Sequence, residues 1–239
     1  MIFIGEPVMA LVIKPPAKLD DFPLMPHSRT KLEMIIDGTS PMPGSKSGIL
    51  LYGIYGTGKT TMAELLPGWI ETARTTDALS NVSAGQLVDA SEPNYTLYSC
   101  AQGQNGSVLM GNIQTHTSLV SWNVSNLHYV ILDEVDLLTA AASASLKSIM
   151  NQKNVVFILT TNHLNKIDRG VQDRSILIDL NAPPVNAWVS KIQAIYQASG
   201  MAVPSHQAIT GIVQAGNGSA RNILTDIEVA EAKRKNLTN

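Results

Sequence analysis

Five short apolar runs punctuate the chain up to Leu180: Gly48–Ile54, Tyr95–Cys100, His128–Leu132, Val155–Leu159 and Ser175–Leu180. Each is β-branched or aromatic in character and bounded by polar residues, as strands buried on both faces are. Helical patterns lie between them, over Thr60–Arg74, Gly111–Trp122 and Ala144–Asn151. Such alternation predicts an α/β domain with a mainly parallel, five-stranded sheet. Two stretches predict loops: Thr39–Ser47, rich in Pro, Gly and Ser, and Thr75–Asn94, polar and turn-rich.

After Leu180 the strand pattern stops. Asn181-Ala182-Pro183-Pro184 reads as a hinge, and three helices are expected beyond it: Val185–Ala198, Ser205–Gln214 and Ala220–Lys235. Ser205 and Ser219 suit the N-caps of the second and third, and Lys233, Arg234 and Lys235 suit a C-terminal end. The expected organisation is an α/β nucleotide-binding domain over 1–181 and a small all-helical lid over 182–239.

The chain has 239 residues, enough for such a pair, and 44% of them are apolar, enough for a sizeable core. A formal net charge of −2 excludes a protein held to nucleic acid by bulk charge alone. The single cysteine, Cys100, fits a reducing compartment and a small buried side chain near a strand end. The apolar start, Met1–Ile13, lacks a basic leader and is broken by Glu6 and Pro7, so no signal peptide is expected. No apolar run approaches the ~20 residues that span a bilayer. The expectation is a cytoplasmic protein without a membrane partner.

Gly53-Ile54-Tyr55-Gly56-Thr57-Gly58-Lys59-Thr60 matches the phosphate-loop pattern G-x-x-x-x-G-K-[ST], after a strand and before a helix. Gly53, Gly56 and Gly58 let the backbone curl so that several N–H groups face one phosphate at the positive end of the helix. Lys59 would reach the β- and γ-phosphates of ATP, and the Thr60 hydroxyl would join the shell of the accompanying Mg²⁺. Thr57 and Thr61 complete the candidate nucleotide contacts. Downstream, the strand Tyr129–Leu132 ends in Asp133 and Glu134. Asp133 is the candidate Mg²⁺-directing carboxylate, and Glu134 the general base that polarises water. The strand Val155–Leu159 runs into Thr160-Thr161-Asn162, which makes Asn162 a candidate for holding water or the γ-phosphate. The five histidines show no metal-ligand spacing, and no metal beyond Mg²⁺ is expected.

These motifs resemble the AAA+ superfamily and, within it, the small subunits of sliding-clamp loaders of the replication factor C type. The resemblance spans Pro15–Phe22, the phosphate loop, Leu132–Thr139 with Leu146–Met150 (the Walker B region), Phe157–Asn162 (sensor 1), Asn165–Ile167 with Gln172–Ser175, and Gly218–Arg221 (sensor 2). It implies that Arg174 is an arginine finger for a neighbouring subunit and that Arg221 touches the γ-phosphate from the lid. Both suit a forked, permanent charge. It also implies a homo-oligomer, a ring or spiral.

Departures from the family pattern are visible. Ile54-Tyr55 stand where Pro-Pro is usual, Asp173 and Ser175 flank Arg174, and no collar domain is expected after the lid. From Thr75 to Leu146 there is no Lys or Arg, although phosphate binding relies on such cations. The leading expectation is an oligomeric ATPase in DNA replication or a related DNA transaction, acting like a clamp loader, with a sliding clamp and DNA as partners. Two rivals stay open. One is a helicase loader or other protein-remodelling ATPase with little DNA contact. The other is an ATP-gated assembly whose slow hydrolysis times disassembly.

Overall fold

A computed structural model of the chain describes residues 11–78, 92–100 and 106–238. The first ten residues of the apolar start and residues 79–91 of the loop expected over Thr75–Asn94 lie outside these. The described residues form two compact units: one is Met25–Asn181, the other joins residues 11–24 to those from Ala182 onward.

The larger unit opens with α1 (Pro26–Ile36), β1 (Gly48–Tyr52) and α2 (Lys59–Ala78). It continues through β2 (Tyr95–Ser99), α3 (Gly106–Thr117), β3 (His128–Asp133), α4 (Ala140–Ile149), β4 (Val155–Thr161), α5 (Arg169–Asp173) and β5 (Ser175–Asp179). The five strands form one sheet in the order β2-β3-β4-β1-β5, and every neighbouring pair is parallel. β4 is buried along its whole length and β3 at all but its last residue, which explains their near-continuous apolar sequence. Val130, Leu132, Phe157 and Leu159 of these strands pack against Leu109 and Ile113 of α3 and Leu146 of α4.

Several helices differ from the sequence pattern, among them the short α5, which was not expected. α1 was not expected, because it is only weakly amphipathic; Pro26 at its first position starts it, and Leu32 and Ile35 anchor it. α3 begins and ends five residues before the expected Gly111–Trp122. Its last turn closes where Thr117 Oγ1 donates back to Ile113 O at 2.8 Å. The apolar residues that extended the pattern, Leu119, Val120 and Trp122, lie exposed beyond it. α4 starts earlier than Ala144, capped by Thr139, whose hydroxyl accepts from Ala142 N at 3.2 Å.

The second unit contains α6 (Val185–Ala198), α7 (His206–Ala215) and α8 (Ala220–Thr238) around Trp188, Ile192, Tyr196, Ile209, Ile223 and Ile227. Ser205 and Ser219 cap α7 and α8, accepting from Ala208 N and Asn222 N. Residues 11–24 group here and not with the sheet. Leu11 packs against the helical core, and Val12 N donates to Ser199 Oγ at 2.9 Å.

Candidate active site

The carboxyl ends of the strands in an open α/β sheet are where ligands bind, because the loops there diverge. The phosphate loop leaves β1 at that end. Gly56 and Gly58 hold φ of 75° and 87°, left-handed values that side chains rarely adopt. At Gly53 the constraint is space: a Cβ would lie 2.7 Å from the carbonyl carbon of Leu180. Asn181 Oδ1 accepts from Ile54 N at 3.0 Å and fixes the loop's start.

Lys59 is only 7% exposed. Its Nζ donates to Gly53 O at 3.0 Å and Ile54 O at 2.6 Å, so the ammonium is held within the curl of the loop. Thr60 Oγ1 donates to Asp133 Oδ1 at 2.9 Å, joining the start of α2 to the end of β3. Between them runs β4, whose Thr160 Oγ1 donates to the same carboxylate oxygen at 2.6 Å. That hydroxyl in turn accepts from Glu134 N at 3.0 Å. Glu134 sits at φ 60° and ψ 50°. A left-handed conformation costs a non-glycine residue about 1–3 kcal/mol and concentrates at functional sites.

Thr161 is fully buried and donates to Asp136 Oδ1 at 2.7 Å. Asn162 follows directly, half-buried, at the end of the strand that separates β1 from β3. Thr61 is half-buried in the first turn of α2 and Thr57 accepts from Lys59 Nζ at 3.4 Å. The concentration of acids here is felt by Cys100 at the end of β2. Burial, then Asp133, Asp136 and Glu134, push its thiol up to about 12.

The structure thus gathers Lys59, Thr60, Asp133, Glu134 and Asn162 at one end of the sheet. Arg174 stands at the other end, immediately before β5, whose Ser175 is level with Gly48 at the start of β1. Its Nε donates to Asn151 Oδ1 at 3.1 Å and its Nη1 to Gly170 O at 3.0 Å. A cavity of about 430 Å³ opens beside it, lined also by Ser45, Asn151, Gln152 and Lys153 and by no acidic residue. Arg221 belongs to the helical unit, exposed in the first turn of α8.

The hydroxyls of Thr160 and Thr161 were missed as site residues. The two hydroxyls ending a strand were visible in the sequence, but that this strand lies beside the acid-terminated one was not.

Residues 49–180 match the model of the ATPase family associated with various cellular activities. The chain belongs to this AAA family. It is 28% identical over 198 residues to replication factor C small subunit 2 of Pyrobaculum islandicum, covering 82% of this chain and 56% of that protein. It is also 28% identical over 191 residues to the Holliday junction branch migration complex subunit RuvB of Mycoplasma genitalium, covering 79% and 58%. Among solved structures, the Thermotoga maritima RuvB Holliday junction branch migration motor superposes with a TM-score of 0.60 at 18% identity, over 88% of this chain and 63% of that one. The fold is therefore the AAA α/β fold followed by a helical region. The chain spans somewhat more than half the length of the relatives it matches. No helix among the described residues is long and apolar enough to cross a membrane.

Proposed function

We propose that this AAA protein is an oligomeric, Mg²⁺-dependent ATPase that acts in DNA replication or a related DNA transaction, in the manner of a clamp loader. The observation that carries this reading is the convergence of Thr60 and Thr160 on Asp133 beside the buried Lys59. A hydroxyl and a carboxylate are the oxygen donors that Mg²⁺ prefers, and these two share one spot at the phosphate end of α2. The metal would supply charge neutralisation between the phosphates. In this reading Lys59 and the loop amides of Gly56 and Gly58 hold the phosphates, with Thr57 and Thr61 beside them. Glu134 takes the proton of the attacking water, and Asn162 orients that water.

Arg174 cannot serve its own chain's phosphates in this scheme. β5 is five residues long, so Arg174 lies about 16 Å from the level of the phosphate loop at ~3.3 Å per residue. That separation supports a finger acting on the nucleotide of a neighbouring copy, with Lys153 adding positive charge beside it. The family resemblance makes Arg221 the remaining candidate for a γ-phosphate contact. A ring or spiral of copies in the cytoplasm follows from this reading.

The replication role is supported by similarity to replication factor C small subunits and RuvB. A second reading, a helicase loader or protein-remodelling ATPase, is favoured by the absence of Lys and Arg from Thr75 to Leu146. Steady-state ATPase rates with and without primed DNA separate them. Strong stimulation by DNA supports the first. Stimulation only by a protein partner such as a clamp or helicase supports the second. Slow, unstimulated turnover with filaments in the electron microscope would overturn both in favour of an ATP-gated assembly.

A further inference from the structure

Tyr55 is 64% exposed, yet its ring is not free. Its hydroxyl lies 3.3 Å from His163 Nε2, and the two rings meet edge to face, with centroids 6.1 Å apart and planes at 78°. The contact bridges two segments 108 residues apart in sequence, the phosphate loop and the end of β4. His163 is held from the other side as well: its backbone N–H donates to Thr161 Oγ1 at 2.9 Å, and that hydroxyl donates to Asp136 at 2.7 Å. On the loop side, Tyr55 follows Ile54, whose carbonyl takes the Lys59 ammonium at 2.6 Å.

A continuous series of contacts thus runs from Asp136 through Thr161 and His163 to Tyr55 and the loop that grips Lys59. Asn162 lies inside this series, with both of its chain neighbours tied down. A side chain that must meet a reacting group within about half an ångström needs such support, because a misplacement of about 1 Å can cost 10²-fold in rate. Tyr55 occupies a loop position where the family resemblance leads one to expect proline.

We propose that His163 is a positioning residue for hydrolysis and that Tyr55 is its anchor, the pair fixing Asn162 relative to the phosphate loop. This rests on the ATPase reading above. The brace acts on the step in which water attacks, and not on the ground-state grip on the nucleotide. Removing it should therefore lower kcat and leave binding intact, whereas a merely structural contact would move stability or affinity instead.

The test compares wild type with Tyr55→Phe, His163→Ala and His163→Gln, measuring kcat and KM for Mg·ATP, affinity for a fluorescent ATP analogue, and Tm. Tyr55→Phe keeps the ring and deletes the hydroxyl, and His163→Gln keeps an amide able to meet it. We expect kcat to fall about 10-fold to 100-fold in Tyr55→Phe and His163→Ala, with analogue affinity and Tm close to wild type, and His163→Gln to recover most of the loss. Wild-type kcat in both deletions, or a loss that tracks affinity or Tm, overturns the positioning role alone. Absence of ATP turnover in wild type overturns the ATPase reading and this inference with it.

Discussion

The Thr60 hydroxyl and the Asp133 carboxylate meet at 2.9 Å although they stand 73 residues apart in sequence. The contact exists because β4 is inserted between β1 and β3, which brings the phosphate loop and the acid-terminated strand to flanking positions at the same end of the sheet. Thr160 fills the space between by donating to the same Oδ1. The two hydroxyls together fix the orientation of the carboxylate, the kind of support that a site stabilising developing charge requires.

Glu134 follows that carboxylate in a left-handed conformation, with its own N–H tied to Thr160. Glu134→Gln should leave ATP binding nearly unchanged and lower turnover by ~10²–10⁴-fold, the typical worth of a positioned base. Single-turnover hydrolysis together with nucleotide titration checks this. A variant that keeps more than about half of wild-type turnover would remove Glu134 from the mechanism.

Lys59→Ala should act earlier, on binding itself. Two carbonyls hold the ammonium in the loop, and in the proposed reading it meets phosphate in the ground state. A charged hydrogen bond is worth about 1.5–3 kcal/mol, or roughly 10-fold to 100-fold in Kd. Calorimetric titration with ATP measures it, and unchanged affinity would contradict the placement of Lys59 at the phosphates.

Cys100 offers a readout of the acidic strand ends. Burial and the neighbouring Asp133, Asp136 and Glu134 raise its thiol from 9.0 to about 12. Between those values the folded thiol stays protonated while the unfolded one ionises, so this group leaves stability unchanged below about pH 9 and reduces it as pH rises towards 12. The limit is ~1.4 kcal/mol per pH unit. Urea unfolding at pH 8 and pH 10 should show a larger loss for wild type than for Cys100→Ala. Equal losses would mean that neither burial nor the acids hold the thiol protonated.

A buried acid on α2 serves the fold. Glu71 is fully buried and accepts from Ser125 N, Ser125 Oγ and Tyr129 Oη, each at 2.7 Å. It ties α2 to the loop that leads into β3. Glu71→Ala strands these donors away from water and should cost about 3–5 kcal/mol, while Glu71→Gln, which keeps an acceptor, should cost less. Chemical denaturation ranks the two, and a mild effect of the alanine variant would show that water or repacking replaces the carboxylate.

The strands and the phosphate loop were legible because their signals are local. A fully buried parallel strand such as Val155–Thr161 needs an apolar run, and the loop needs glycine where φ is positive. The helices of the second unit were equally plain, since Trp188, Ile192 and Tyr196 recur at helical spacing and a serine precedes each of the last two helices. What escaped was decided by tertiary contact. Leu119, Val120 and Trp122 extend the apolar pattern of α3 but not the helix, and α1 has too little contrast between its faces to announce itself. Thr160 matters only because β4 lies beside β3, and His163 only because it meets Tyr55; strand order and side-chain contact of that kind have no local sequence mark.

Arg174 stands one strand length from its own phosphate loop and beside a cavity free of acidic side chains. If it completes the site of a neighbouring copy, hydrolysis requires contact between copies, and specific activity should rise with protein concentration. ATP then binds the assembled state better than the separate chains and shifts the population towards assembly. Arg174→Ala should keep the fold and most nucleotide affinity but lose ~10³-fold or more in turnover, the scale of arginine fingers. Mixing gives the sharpest measurement. Arg174→Ala offers a sound pocket without a finger, and Lys59→Ala offers a finger without a sound pocket. Neither should hydrolyse ATP appreciably alone, while an equimolar mixture should regain part of the wild-type rate, because the second variant's Arg174 enters the first variant's site. The recovered rate should grow with total protein concentration and reach a ceiling below wild type, since only some junctions pair a sound pocket with an intact finger. No recovery at concentrations where mixed oligomers are seen by light scattering would show that Arg174 does not act between copies.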